Sequence, residues 1–141
     1  MSSIFSRIIA GDIPGCFVFQ DPLWVGLLDL YPVSPGHLLL IPRHEVPRLA
    51  QLDGDSMAAL GPLLARGHRC LYQALGCDAV ATILRDGPAA GQEIAHVHVH
   101  LVPRHNGDDA HDFRSGSYGS DPEAALTAMA ERLRQAWDAV G

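Results

Sequence analysis

The order of elements in this 141-residue chain predicts an α+β fold. It is an antiparallel five-stranded sheet with one long central helix, a short N-terminal helix and a C-terminal helix. Three observations predict it. Short apolar runs fall in two groups, three before residue 43 and two between residues 78 and 103, bounded by turn residues. Between the groups, Leu60, Leu64, Leu71 and Leu75 recur at helical spacing. Strands that follow one another without a helical crossover pair antiparallel, which leaves the helices gathered on one side of the sheet.

Composition sets the frame. An apolar fraction of 48% against 18% charged residues is that of a globular chain. At 141 residues it is long enough to fold as one domain, 1–141, without covalent staples. The core is expected over about 3–104, with a C-terminal loop and helix at 105–141. Ten basic against sixteen acidic residues give a net charge of −6, and no basic stripe exists to track a polyanion. Nucleic acid and acidic membrane surfaces are therefore excluded as partners, while a small phosphorylated ligand is not. Cys16, Cys70 and Cys77 are odd in number and lack C-x-x-C spacing, which fits buried filler in a reducing cytoplasm. Met1 to Ala10 has no long apolar run, so neither a signal peptide nor a membrane span is expected there.

Each element has its own reason. Ser3 to Ala10 can form a helix with Ser3 as N-cap, Phe5, Ile8 and Ile9 on one face, and Gly11 as the stop. Cys16 to Gln20 and Leu23 to Leu30 read as strands turning at Asp21-Pro22, with Trp24 in the core. A loop stiffened by Pro32 and Pro35 leads to a third strand, His37 to Pro42. Asp53 and its neighbours cap a long helix to Leu75, closed by Gly76. Pro62 lies inside it and should kink the helix or mark its true start, because it has no N–H and clashes with the preceding turn. His68 on this helix is expected in solvent. Asp78 to Leu84 is the fourth strand. Arg104 to Ser120 is polar and rich in Gly and Asp, and Asp121-Pro122 opens a last helix to about Ala139. Leu126, Met129, Leu133 and Trp137 share its face toward the sheet.

The fifth strand carries the chemistry. Ile94 to Pro103 places His96, His98 and His100 at every second position, with Val97, Val99 and Leu101 between them. Strict alternation puts the aliphatic side chains on a core and lines the imidazoles along the other face, roughly 7 Å apart. Imidazole has an unperturbed pKa of roughly 6.5, so one ring can attack an electrophile while another donates to an oxyanion or leaving group. A phosphate ester or anhydride calls for that combination. The preceding Arg85-Asp86-Gly87-Pro88-Ala89-Ala90-Gly91-Gln92-Glu93 is longer than a tight hairpin needs, and its glycines let backbone amides approach a phosphate.

Two segments together resemble the histidine-triad superfamily. They are Pro32-Val33-Ser34-Pro35-Gly36-His37-Leu38-Leu39-Leu40-Ile41-Pro42 and Gly87 to Gln92 followed by His96-Val97-His98-Val99-His100-Leu101-Val102-Pro103. The similarity extends over about residues 3–104 and leans toward the general bacterial type. It implies a purine-nucleotide hydrolase of the phosphoramidase or dinucleoside polyphosphate type, working as a homodimer with a sheet continuous across the interface and without a cofactor. By the same resemblance His98 is the nucleophile, His100 contacts the phosphate oxygens and leaving group, and His96 and His37 form a supporting pair that sets ring tautomers. Asp29 holds the ribose hydroxyls, Leu30 walls the base pocket, and Arg85, Gly91 and Gln92 meet the phosphate.

Three positions depart from the pattern. Arg85 replaces the Asn or Gln of many relatives. Glu93 stands where phosphoramidases often have Ser; a phosphate would repel it, so it is expected to turn away. Ser3 and Ser6 occupy positions where some relatives bind structural zinc through cysteines, with His44 and His96 as the remaining ligands, so no metal is expected. Two alternatives stay open: a zinc-dependent hydrolase using His96, His98 and another His, and a non-catalytic purine-nucleotide sensor, for which Arg85 and Glu93 speak.

Overall fold

The computed structural model describes residues 2–141. Helix α1 (Ile4–Ile9) leads into strands β1 (Phe17–Gln20), β2 (Trp24–Leu28) and β3 (Leu38–Pro42). Then come the long helix α2 (Gly54–Leu75), strands β4 (Ala79–Leu84) and β5 (Val99–Arg104), and helix α3 (Pro122–Val140). The sheet runs β1-β2-β3-β5-β4 with every pair antiparallel. The Asp21 carboxylate makes the first hairpin by accepting from the Leu23 and Trp24 amides at 2.8 and 2.7 Å.

Alternation along the strands builds two apolar layers. Trp24, Leu28, Leu38, Leu40, Val99 and Leu101 face α2 and α3, where Trp137 stacks flat on Phe19 at 4.0 Å. Val25, Leu27, Leu39 and Ile41 face the other way and pack on Phe5 of α1. The helices are thus not all on one side, as the sequence suggested: a two-turn helix with one bulky anchor is enough to cover half of the second face. The other half of that face stays open and becomes the cleft described below. Gly67 lets α2 lie close on β5, since a Cβ there would lie 2.5 Å from Leu101 Cδ1.

The expected Asp53 cap holds, and one strand boundary differs from expectation. Helix α2 starts at Gly54 and runs through Pro62, because Asp53 caps it by accepting from the Ser56 amide and fixes its start upstream. Strand β5 begins at Val99, five residues later than the alternation suggested. Residues 94–98 leave the sheet because their polar groups are satisfied elsewhere: the Val97 amide donates to the Val46 carbonyl at 2.8 Å. His68 is also not simply solvated, as its Nε2 lies 2.6 Å from the Thr82 hydroxyl. Cys16, Cys70 and Cys77 are free thiols, the last two buried. No helix among the described residues is long and apolar enough to cross a membrane.

Candidate active site

A cleft of about 530 Å³ opens on the α1 side of the sheet. His98 and His100 form its floor, Phe5, Ile8, Leu27 and Leu39 one apolar wall, and Asp29 and His37 a polar edge. Arg85, Gly91, Gln92 and Glu93 close the opposite side. His100 is on β5, and its pairing with Leu39 and Ile83 holds it in the middle of the sheet. His98 lies just before β5 and keeps the same facing by alternation, although it is no longer in the ladder. The two rings lean together, with centroids 4.9 Å apart, closer than the repeat of a flat strand would set them.

Hydrogen-bond partners dictate the tautomers. The Nδ1 of His98 lies 2.8 Å from the backbone carbonyl of His96. A carbonyl only accepts, so Nδ1 carries the proton and Nε2 keeps a lone pair. The Val33 amide donates to Nδ1 of His37 at 3.1 Å, which puts the His37 proton on Nε2. That nitrogen faces Nδ1 of His100 at 2.9 Å, so His100 is an acceptor there and carries its own proton on Nε2. The floor of the cleft therefore pairs one imidazole with a bare Nε2 and one with an Nε2–H. An attacking lone pair and a donor for a phosphoryl oxygen stand side by side.

Burial keeps these rings neutral. It pushes the pKa of His37 and of His100 down to about 4, and lowers that of His98 below the ordinary imidazole value. Burial also raises the Asp29 carboxyl, against the hydrogen bond that its Oδ1 accepts from the Tyr31 amide at 2.9 Å. Its Oδ2 is 3.7 Å from Nε2 of His37.

His96 behaves differently from the other three. It is fully buried and its ring turns away from the cleft. Its Nε2 donates to the Pro42 carbonyl at 2.7 Å, so its Nδ1 accepts from the Ser3 hydroxyl at 2.6 Å. Ser3 Oγ also accepts from the Ser6 amide as the cap of α1, and Glu45 accepts from the Ser3 amide at 2.6 Å. His96 and His37 thus each brace one of the two cleft imidazoles. His37 orients His100 through its ring, whereas His96 orients His98 through its backbone oxygen.

The remaining expected residues divide. Asp29, Leu30, Arg85, Gly91 and Gln92 all line the cleft, Leu30 at the rim with 51% of its surface exposed. Gln92 spends its side chain on bracing the loop: its Oε1 accepts from the Gly87 amide and its Nε2 donates to the Pro47 carbonyl, both at 2.8 Å. Glu93, expected to turn away, is exposed and borders the cleft. Sequence reasoning missed Phe5, whose ring meets His98 edge-on at 4.9 Å, and it missed Phe113 and Ser115, which close one end of the cleft. It also missed Tyr118, whose hydroxyl accepts from the Gly36 amide beside His37. Alternation marked the histidines, but no local pattern marks an aromatic residue more than ninety positions away.

The donors near α1 do not fit zinc. Ser3 Oγ is occupied by His96 and the Ser6 amide, and His44 Nδ1 lies 3.2 Å from Asp53. A neutral hydroxyl is a weak substitute for a thiolate. His96 and His98 also turn their rings to different partners, so they do not converge on a common ion.

The HIT domain family matches residues 10–107 of the chain. An adenosine 5'-monophosphoramidase of Schizosaccharomyces pombe is 31% identical over 133 residues, 94% of this chain and 96% of that protein. An adenylylsulfatase of Arabidopsis thaliana is 32% identical over 105 residues, 74% of this chain and 53% of that protein. Among solved structures, a zinc-bound histidine triad family protein from Mycobacterium smegmatis superposes with a TM-score of 0.83 at 31% identity, covering 99% of this chain and 95% of that one.

Proposed function

The chain belongs to the HIT family, and on that premise we propose that it is a nucleotide hydrolase cleaving at the α-phosphorus through a nucleotidyl-histidine intermediate. The observation that carries the reading is the His98 tautomer: Nδ1 bound to the His96 carbonyl at 2.8 Å, and Nε2 bare on a ring that lines the cleft. In the first step a bond forms between His98 Nε2 and the α-phosphorus, and the bond to the leaving group breaks, its electron pair departing with that group. The Nε2–H of His100 donates to a phosphoryl oxygen as charge builds there. In the second step water attacks the phosphorus, the P–N bond breaks, and its electron pair returns to Nε2 while a water proton passes to solvent. The products are a nucleoside monophosphate and the leaving group. A neutral imidazole needs no metal to attack. Asp29, at the polar edge of the cleft, would accept from the ribose hydroxyls in this reading, and the apolar wall of Phe5, Ile8, Leu27 and Leu39 suits a purine ring. The relatives named phosphoramidase and adenylylsulfatase support hydrolysis of a substituted nucleoside phosphate.

Replacing His98 by Ala should lower turnover at least about 10³-fold on a panel of adenosine phosphoramidate, diadenosine polyphosphates and adenylated sulfate. Wild-type protein quenched in alkaline denaturant, where a P–N bond to imidazole survives, should yield a His98 peptide heavier by one nucleoside monophosphoryl group. Full activity in the variant overturns the reading. Tight binding of purine nucleotide by calorimetry, with no product from any substrate, would make the protein a sensor instead.

A second reading has one observation behind it. Ligand atoms of Asp29, His37 and His100 lie within 4.8 Å of one another, a spacing that a metal ion could bridge. Activity that survives exhaustive chelation removes it. We also propose a homodimer formed along β4, an edge strand of sequence Ala79-Val80-Ala81-Thr82-Ile83-Leu84 whose outer side has no strand beside it.

A further inference from the structure

We propose, resting on the hydrolase reading above, that Arg85 makes this site selective for an anionic leaving group, so that its substrates are acid anhydrides of a nucleotide rather than phosphoramidates. The register supports the placement. Ile83 pairs with His100 and Leu84 with Val99, so Arg85 follows directly where β4 ends, at the end of the ladder from which His98 leads into β5. Alternation turns Arg85 to the same face as the two histidines, and it lines the cleft with them. Its own loop steadies it. Arg85 Nη1 donates to the Ala90 carbonyl at 3.3 Å, and its stem lies so close to Gly91 that a Cβ there would meet Arg85 Cδ at 3.2 Å. Gly91 has a φ of 94°, a conformation that L side chains rarely adopt, so the loop can hold this close approach only with glycine. One hydrogen bond to the loop leaves four of the five guanidinium N–H donors for a ligand.

The charge inventory of the cleft then decides what those donors meet. Among the described residues that line it, Arg85 is the one Lys or Arg, set against the carboxyls of Asp29 and Glu93. Burial holds the imidazoles neutral, so they offer N–H groups but no net charge. Both substrate classes carry an α-phosphate. An anhydride brings further negative charge in the leaving group, and without Arg85 that charge would face two acids alone. The chemistry points the same way. When the P–O bond of an anhydride breaks, the departing oxygen keeps the electron pair and leaves as an anion, which a guanidinium stabilises without proton transfer. A departing amine must first gain a proton on nitrogen, which a guanidinium, protonated at all ordinary pH, does not supply.

The test compares Arg85→Gln with wild type on diadenosine tetraphosphate, adenylated sulfate and adenosine phosphoramidate. Wild type should prefer the two anhydrides in kcat/KM. In the variant the ratio of tetraphosphate to phosphoramidate kcat/KM should fall about tenfold or more, with Arg85→Lys falling less. Added salt should lower the wild-type tetraphosphate rate more steeply than that of the variant, because the guanidinium is exposed. A loss shared equally by all three substrates, with the ratio moved less than threefold, would assign Arg85 to the common α-phosphate and overturn the proposal. So would a wild-type preference for the phosphoramidate. If only one anhydride responds, the leaving-group chemistry narrows to phosphate or to sulfate accordingly. Wild-type protein inert on all three would instead overturn the hydrolase reading, and this proposal with it.

Discussion

A single backbone amide, that of Val33, settles the protonation pattern of two imidazoles in series. The relay has a measurable pH signature. His37 and His100 have folded-state pKa values near 4, below the imidazole value of 6.5 expected when the chain is unfolded. Between those values the unfolded chain binds more protons than the folded one, so acid favours unfolding. Their stabilisation is complete above about pH 6.5 and is lost as pH falls toward 4. The raised Asp29 acts in the opposite sense, because the folded state then holds the extra proton, and it offsets part of the loss. Thermal melts should show Tm dropping on the order of 5 °C from pH 7 to pH 5, and His37→Gln should flatten that slope. A Tm unchanged over this range would contradict the burial assigned to these rings. His98 and His100 were legible in the sequence because alternation is a local signal. The contact between Ser3 and His96 spans 93 positions, and nothing local announces it.

At the level of elements, α1 is a small piece with a large duty. Its cap, Ser3, is also the partner that satisfies the buried His96 ring, and its Phe5 presses on His98. Ser3→Ala should cost about 1–3 kcal/mol, from the lost cap together with a buried ring nitrogen left unpaired. It should also reduce kcat, since the carbonyl that orients His98 belongs to the residue this serine holds. Denaturant unfolding beside steady-state kinetics checks both; stability within about 0.3 kcal/mol of wild type would show that the hydroxyl has no such role. Existence and order of the elements were readable from periodicity, but the start of β5 was not. Apolar alternation continues through Ile94 to Val97 whether or not a partner strand is present, and the Val97 amide goes to Val46 instead. Nor does a stripe of Phe5, Ile8 and Ile9 say which face of a sheet it covers; only the folded chain sets α1 opposite α2 and α3.

For the molecule as a whole, the exposed edge of β4 is the feature that most needs an explanation, because an apolar strand edge invites pairing. Light scattering should give a mass of about twice the 15.2 kDa of one chain. Ala81→Lys, which places a charge on that edge, should return the mass toward a single chain; a wild-type mass of one chain would refute the dimer. The α+β class and the location of the cleft followed from the sequence, since both depend on strand order and on the histidine row. The ends of the cleft did not, because residues 105–120 fold back with little regular structure and their contacts follow no period.

Those returning residues tie down more than themselves. The Gly116 amide bonds the Pro32 carbonyl at 2.7 Å, and Tyr118 receives the Gly36 amide, so both shoulders of the segment that presents Val33 to His37 are bolted by chain lying past the end of the HIT match at 107. A fragment trimmed to the recognisable motif would retain each imidazole yet lose the scaffolding that tells one of them where its hydrogen belongs.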